Sequence, residues 1–174
     1  MEDRHITTMI IRLTKKTDAQ HILEYVRDDG TGESANLETK TFLTHDFLHY
    51  AIETSADLRE SFYGLLNKGY SYAELGGKDE MAGAGVHREE AGITEMATGL
   101  LTGAIKGDIA PNDVMGAAEN LFGSNGMSTP SWFTPSFIGT VKESMRKLLG
   151  HWAALRPGDT LTLEFPLKKK APQD

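Results

Sequence analysis

The chain has 174 residues, a formal net charge of −7 and no cysteine. Disulfides, thiolate metal ligands and a cysteine nucleophile are therefore excluded, and the acidic balance argues against nucleic-acid binding, which needs a basic surface. The chain has no apolar run near the ~18 residues of a membrane span and no secretory signal at its start, so we expect a cytoplasmic protein without membrane partners. The length suits one domain over residues 1–174, with a basic disordered tail from about residue 168.

Strands are predicted at both ends of the chain. Residues 9–13 and 21–26 are apolar and β-branched and predict a hairpin, which is followed by a glycine-containing turn at 28–32. A third strand is predicted at 37–42. Residues 160–167 alternate apolar with polar side chains, as a strand with one buried side does, and we expect them to pair with the hairpin.

About five helices are predicted between these strands. The expected fold class is therefore α+β, with a small antiparallel sheet made of the N-terminal hairpin and the C-terminal strand, packed against the helices. The predicted helices cover 45–54 with Thr44 as N-cap, 57–69 with a capping box of Asp57 and Glu60, 93–104, 111–122, and 134–152 with Thr134 as N-cap.

The stretch His45-Asp46-Phe47-Leu48-His49 invites a chemical hypothesis. On a helix with about 100° per residue, His45, His49 and Glu53 form one stripe. Two imidazoles one turn apart and a carboxylate one turn further can bind a divalent ion such as Zn²⁺, and they leave a fourth position for water. The stripe begins at the edge of the buried face, where either a cleft floor or half-exposed structural histidines would lie.

This stretch resembles the HExxH helix of zinc metallohydrolases, with aspartate in place of glutamate. The resemblance implies that His45 and His49 are zinc ligands and that Asp46 is the general base. Two departures stand out: aspartate is one methylene shorter than glutamate, and Glu53 does not match the spacing of the third ligand in those families. More widely, residues 42–50 and 62–65 resemble a group of uncharacterised bacterial proteins, which implies no particular activity.

Other imidazoles and carboxylates have less support as ligands. With Ile93 at 0° on the helical wheel, the apolar stripe of its helix centres near 20° and Glu95 lies near 200°, so Glu95 is expected to face solvent. Glu90 lies nearer the buried edge, at a helix start that favours acidic residues. His87 belongs to a glycine-rich loop and could swing towards a site, whereas His151 suits a helix C-terminus as a dipole partner.

Three further patterns bear on function. The glycines at 83 and 85 are too few for a dinucleotide or P-loop fingerprint. The chain has no G-x-S-x-G elbow, so a serine hydrolase of the α/β type has no support. Trp132 and Phe133, in a loop of small and polar residues, either cap a ligand pocket or pack onto the helices.

Three hypotheses about function stay open, and the sequence does not decide whether the protein is an enzyme. In the first, it binds a divalent metal, either without catalysis, which we slightly favour, or as a hydrolase using His45, His49 and Glu53 with Asp46 as base. In the second, it is an interaction module for an unknown small molecule or protein and needs no metal. In the third, the histidine stripe is structural and ties its helix to the N-terminal hairpin.

Overall fold

The computed structural model describes residues 7–76 and 88–166, so the basic tail and His87 lie outside the described residues. The fold class is α+β, as predicted: within these ranges an antiparallel sheet is packed against six α-helices. The strands are β1 (Met9–Lys15), β2 (Gln20–Arg27), β3 (Gly32–Glu38) and β4 (Thr160–Phe165). The helices are α1 (Thr39–Ser55), α2 (Phe62–Asn67), α3 (Tyr72–Gly76), α4 (Arg88–Lys106), α5 (Val114–Ser124, after a 3-10 turn at Pro111–Asp113) and α6 (Pro135–Ala154).

The strand order in the sheet is β3-β2-β1-β4, so the C-terminal strand pairs with the N-terminal hairpin as the sequence predicts. β1 is the central partner, because it pairs with β2 on one side and β4 on the other. Alternate residues of β1, at positions 9, 11 and 13, are fully buried against the helices. Since strand side chains alternate between faces, the opposite face of the sheet carries the polar positions such as Arg12.

The boundary between β3 and α1 differs from the prediction of a strand at 37–42 and a helix starting after Thr44. Gly30, which has a φ of 82°, lies in the tight turn between β2 and β3. The N–H of Gly30 donates to Arg27 O at 2.9 Å. β3 therefore pairs with β2 directly after the turn, and the pairing ends where Gln20 meets Glu38. The chain turns into α1 at the next residue, so Thr44 lies inside the helix and does not cap it.

The helix ends agree with the sequence in one place and differ in another. Thr134 is the N-cap of α6, as predicted, and its hydroxyl accepts from Phe137 N at 3.1 Å. The predicted capping box at Asp57 is wrong, because Asp57 has a φ of 56° and α2 begins only after Ser61. No helix in the described ranges combines the length and the apolar character needed to cross a lipid bilayer.

Helix α1 occupies the centre of the molecule, where it packs against both α4 and α6. Every residue from 46 to 53 is buried, so this part of the helix is enclosed on all sides. Three of these residues, Asp46, His49 and Glu53, carry side chains that can be charged near neutral pH. Because an unpaired buried charge is costly, each of them requires partners, and those partners define the candidate site.

Candidate metal centre

The two histidines of α1 lie one turn apart on the side of the helix that faces α4. Their ring centroids are 4.5 Å apart, so the predicted stripe does bring the two imidazoles together. His49 is 1% exposed, whereas the side chain of His45 is 44% exposed. The pair therefore extends from the core of the protein to its surface.

Glu95, on α4, faces both imidazoles through their Nε2 atoms. Its Oε1 lies 2.8 Å from His49 Nε2, and its Oε2 lies 3.5 Å from His45 Nε2. One ligand atom from each of the three residues lies within 4.8 Å of the others. A tetrahedral zinc ion with bonds of about 2.1 Å puts neighbouring ligand atoms about 3.4 Å apart. The cluster is therefore close to the dimensions of a three-ligand metal site.

The Nε2 atom of His49 gives a further sign of a ligand. It is buried and forms an ion pair with Glu95 Oε1 at 2.8 Å, but the alignment of the two groups falls short of a good hydrogen bond. Buried polar atoms are nearly always satisfied, so an exception requires an explanation. A metal ion placed between His49 and Glu95 would use this lone pair.

Glu95 reaches the cluster because α4 is rotated relative to the orientation that its apolar stripe predicts. Thr94 and Thr98 are buried, and each hydroxyl donates to the carbonyl oxygen four residues earlier, at 2.8 Å. Thr94 also contacts Ser61 Oγ at 2.6 Å, which fixes the helix against the segment before α2. This rotation puts Glu95, expected to face solvent, at the rim of the α1–α4 interface with its side chain 54% exposed.

Glu53 lies outside the cluster, on the opposite side of the His49 ring. The sequence predicts it as the third metal ligand, but its carboxylate accepts from His49 Nδ1 at 3.1 Å and from Gly64 N at 3.0 Å. Gly64 has no room for a side chain, because a Cβ there would overlap the backbone of Arg59. The close approach of α2 at this glycine thus supplies the donor that anchors Glu53.

Asp46 lies on the Nδ1 side of His45, as Glu53 lies on the Nδ1 side of His49. Its Oδ1 is 3.6 Å from His45 Nδ1 and its Oδ2 is 4.0 Å from His21 Nε2. His21 is itself buried, and its Nδ1 contacts Thr39 Oγ1 at 3.0 Å. The general-base role implied by the HExxH resemblance needs a carboxylate beside the metal-bound water. In the structure, the Asp46 carboxylate lies on the Nδ1 side of His45, away from Glu95.

The neighbouring charges set the protonation of the cluster. Asp46 and Glu95 raise the pKa of His45 to about 9. Burial lowers the pKa of His49, but Glu53 and Glu95 outweigh it, and the net direction is upward. Burial opposes ionisation of Glu95, yet the two imidazoles hold the pKa of its carboxyl well below the usual value. Without a metal, the imidazoles therefore retain protons that a bound cation would displace.

Other residues noted in the sequence take structural positions. Trp132 packs edge-on against Phe137, with ring centroids 5.0 Å apart, and Phe133 is 2% exposed. These contacts support the alternative in which the two aromatic residues pack onto the helices. Glu90 accepts from Glu60 N at 2.6 Å and so anchors the chain before α2.

No protein-family model matches the chain, and no curated protein or solved structure shows significant similarity to it. The geometry of the described residues therefore carries the functional argument.

Proposed function

We propose that this protein binds a divalent metal ion, with zinc as the first candidate, through His45, His49 and Glu95. One observation carries the proposal: both imidazoles direct Nε2 towards a shared carboxylate and Nδ1 towards a separate one. Metal-binding histidines commonly donate their second N–H to a carboxylate, which fixes the tautomer and orients the ring. In this proposal, Asp46 and Glu53 are those outer carboxylates and Glu95 is the ligand.

The competing explanation is a metal-free network of protonated histidines and carboxylates. It accounts for the ion-pair distances, but it leaves the buried Nε2 of His49 without an aligned hydrogen bond. It also accounts for the convergence of both Nε2 atoms on Glu95, because protonated imidazoles attract a carboxylate. A cation explains this convergence and the His49 Nε2 atom together, since it would take a lone pair from each ring and one from the carboxylate.

The number of ligands favours a site with an open coordination position. Structural zinc sites use four protein ligands, whereas catalytic sites use three and hold water at the fourth position. His45 and Glu95 both have side chains about half exposed, so water reaches this side of the cluster. Hydrolysis by the metal-bound water is therefore the second candidate function, because a divalent ion lowers the pKa of such a water.

The test of metal binding compares three proteins purified without chelators and without an affinity tag. Elemental analysis of the wild type should show close to one zinc or similar ion per chain, and metal-free protein should recover it on titration. Glu95→Gln should lose most of this occupancy while folding normally, because its side chain is half exposed. Glu89→Gln, an exposed position on the same helix, is the matched control and should bind as the wild type does. Equal occupancy in both variants, or none in the wild type, would rule out the proposed site.

Hydrolysis has its own test with the same proteins. Zinc-loaded wild type and zinc-loaded Glu89→Gln should both cleave an activated ester such as p-nitrophenyl acetate faster than metal-free protein and faster than zinc in buffer without protein. A rate that does not depend on the metal would leave binding without catalysis as the function.

A further inference from the structure

A small cavity borders the proposed metal centre on the side of His49 and Glu95. Its volume is about 30 Å³. Two of its lining residues are proposed ligands, and the other four are apolar. The lining residues are His49, Phe62, Leu65, Leu75, Ala91 and Glu95.

We propose that this cavity binds the short aliphatic group of a small ligand whose oxygen atoms coordinate the metal. The inference rests on the proposed metal site and adds to it the class of molecule that the site accepts. That class is short-chain acyl compounds, with a carboxylate or a related oxygen donor at one end and a chain of two or three carbons at the other.

The chemistry of the walls supports an aliphatic group. Leu65 is 1% exposed and Ala91 is 4% exposed, so this part of the wall belongs to the core. The ring of Phe62 lies 5.6 Å from the ring of His49 and continues the apolar surface up to the proposed ligand. A polar group in this cavity would lose its hydrogen bonds to water, whereas a methylene loses nothing there.

The size of the cavity limits the length of the chain. About 10–15 Å³ of such space holds one water-sized group, so 30 Å³ accommodates about two. Leu65 and Ala91 close the cavity on the side of the core, so a longer chain cannot extend in that direction without displacing them. The cavity therefore distinguishes short chains from long ones.

The open coordination position favours an oxygen donor at the other end of the ligand. An ion held by His45, His49 and Glu95 leaves a position that a carboxylate or hydroxamate oxygen can take. Because Glu95 and His49 border both the cluster and the cavity, one molecule can coordinate the ion and fill the cavity at the same time.

The test uses the full chain loaded with Co²⁺, whose visible spectrum reports on coordination, and a series of hydroxamates of increasing chain length. Acetohydroxamate and propionohydroxamate should bind most tightly, with each buried methylene contributing roughly fourfold in affinity. Chains of six carbons should bind at least tenfold more weakly. Affinity that does not depend on chain length would overturn the inference, because it would show that only the metal contacts the ligand.

Two variants locate the aliphatic group. Ala91→Leu fills the cavity and should weaken acetohydroxamate binding at least tenfold with Co²⁺ affinity unchanged, whereas Ala153→Leu, on the exposed side of α6, should have no effect. Leu75→Ala enlarges the cavity and should shift the preferred chain length upward, which keeps the test decisive if Ala91→Leu does not fold. No change with either variant would contradict the inference. If Co²⁺ itself does not bind, the metal proposal fails first and this inference fails with it.

Discussion

Helices α1 and α6 are of similar length, 17 and 20 residues, but they place their charged residues in opposite environments. α6 buries one face and exposes the other, where Glu143 pairs with Arg146 at 2.7 Å in solvent. α1 is enclosed over residues 46–53 and holds a carboxylate, an imidazole and a second carboxylate in the core.

The difference shows where a charged side chain has consequences. An exposed ion pair stabilises a fold by about 0–1 kcal/mol, because water screens it. A buried pair gains little relative to apolar residues, but loss of one partner is strongly destabilising. The buried charged residues of α1 therefore add little to the stability of the fold, which is consistent with a role of these residues in binding.

Glu53→Ala should give the largest loss of stability. It leaves His49 Nδ1 and Gly64 N buried without an acceptor. We expect the free energy of unfolding of the metal-free protein to fall by about 3–5 kcal/mol, the range for a broken buried pair. Urea denaturation followed by circular dichroism measures this change. A loss below about 1 kcal/mol would mean that this pair behaves like an exposed one.

Asp46→Asn should weaken metal binding without removing a ligand. Its carboxylate lies behind His45, and loss of an outer carboxylate typically lowers metal affinity about 10–100-fold. Competition titration of zinc against a chromophoric chelator measures the affinity. Asp18→Asn, at a side chain that is 97% exposed, is the control and should bind as the wild type does. Unchanged affinity in Asp46→Asn would remove Asp46 from the site.

Metal affinity should rise with pH, because His45 must lose its proton to bind the ion. With the pKa of His45 raised to about 9, loss of its proton alone should increase the apparent affinity by up to tenfold per pH unit until about pH 9, and the His49 proton, whose pKa is also raised, adds to this rise. The stability of the metal-free protein should change in the opposite direction and fall as the pH rises. The His45 proton stabilises the fold fully below the unfolded pKa of about 6.5, and this contribution is lost as the pH rises through about 9. Zinc titrations and urea denaturation between pH 6 and 10 test both directions, and a flat affinity profile would contradict the assignment of His45.

Glu143→Gln, on α6, should have the smallest effect. It removes an ion pair with Arg146 that water screens, so the midpoint of urea denaturation should match that of the wild type. The same urea denaturation experiment gives the value. A change as large as that of Glu53→Ala would remove the contrast between the two helices.

The sequence predicted part of this arrangement, and the physical reasons for the rest are specific. Helical spacing alone placed His45 beside His49, because that relation depends only on the geometry of one helix. It could not show which side of the His49 ring Glu53 would contact, since the position of Glu53 depends on the donor from Gly64, on another helix.

Glu95 was expected to face solvent because the apolar stripe of α4 leaves out its threonines. Buried Thr94 and Thr98 satisfy their hydroxyls within α4, which allows them to lie in the core and shifts the buried face away from the stripe centred on Ile93. The strands at the two ends of the chain were predictable, since alternation over 160–165 and the apolar runs of the N-terminal hairpin are local patterns.

X-ray absorption spectroscopy of the zinc-loaded protein at the zinc edge would identify the ligands of the bound ion. We expect two imidazole nitrogens and one or two oxygen donors at about 2.0–2.2 Å, and loss of an oxygen donor or of the ion itself in Glu95→Gln. A spectrum with oxygen donors alone, or one unchanged in Glu95→Gln, would contradict this expectation.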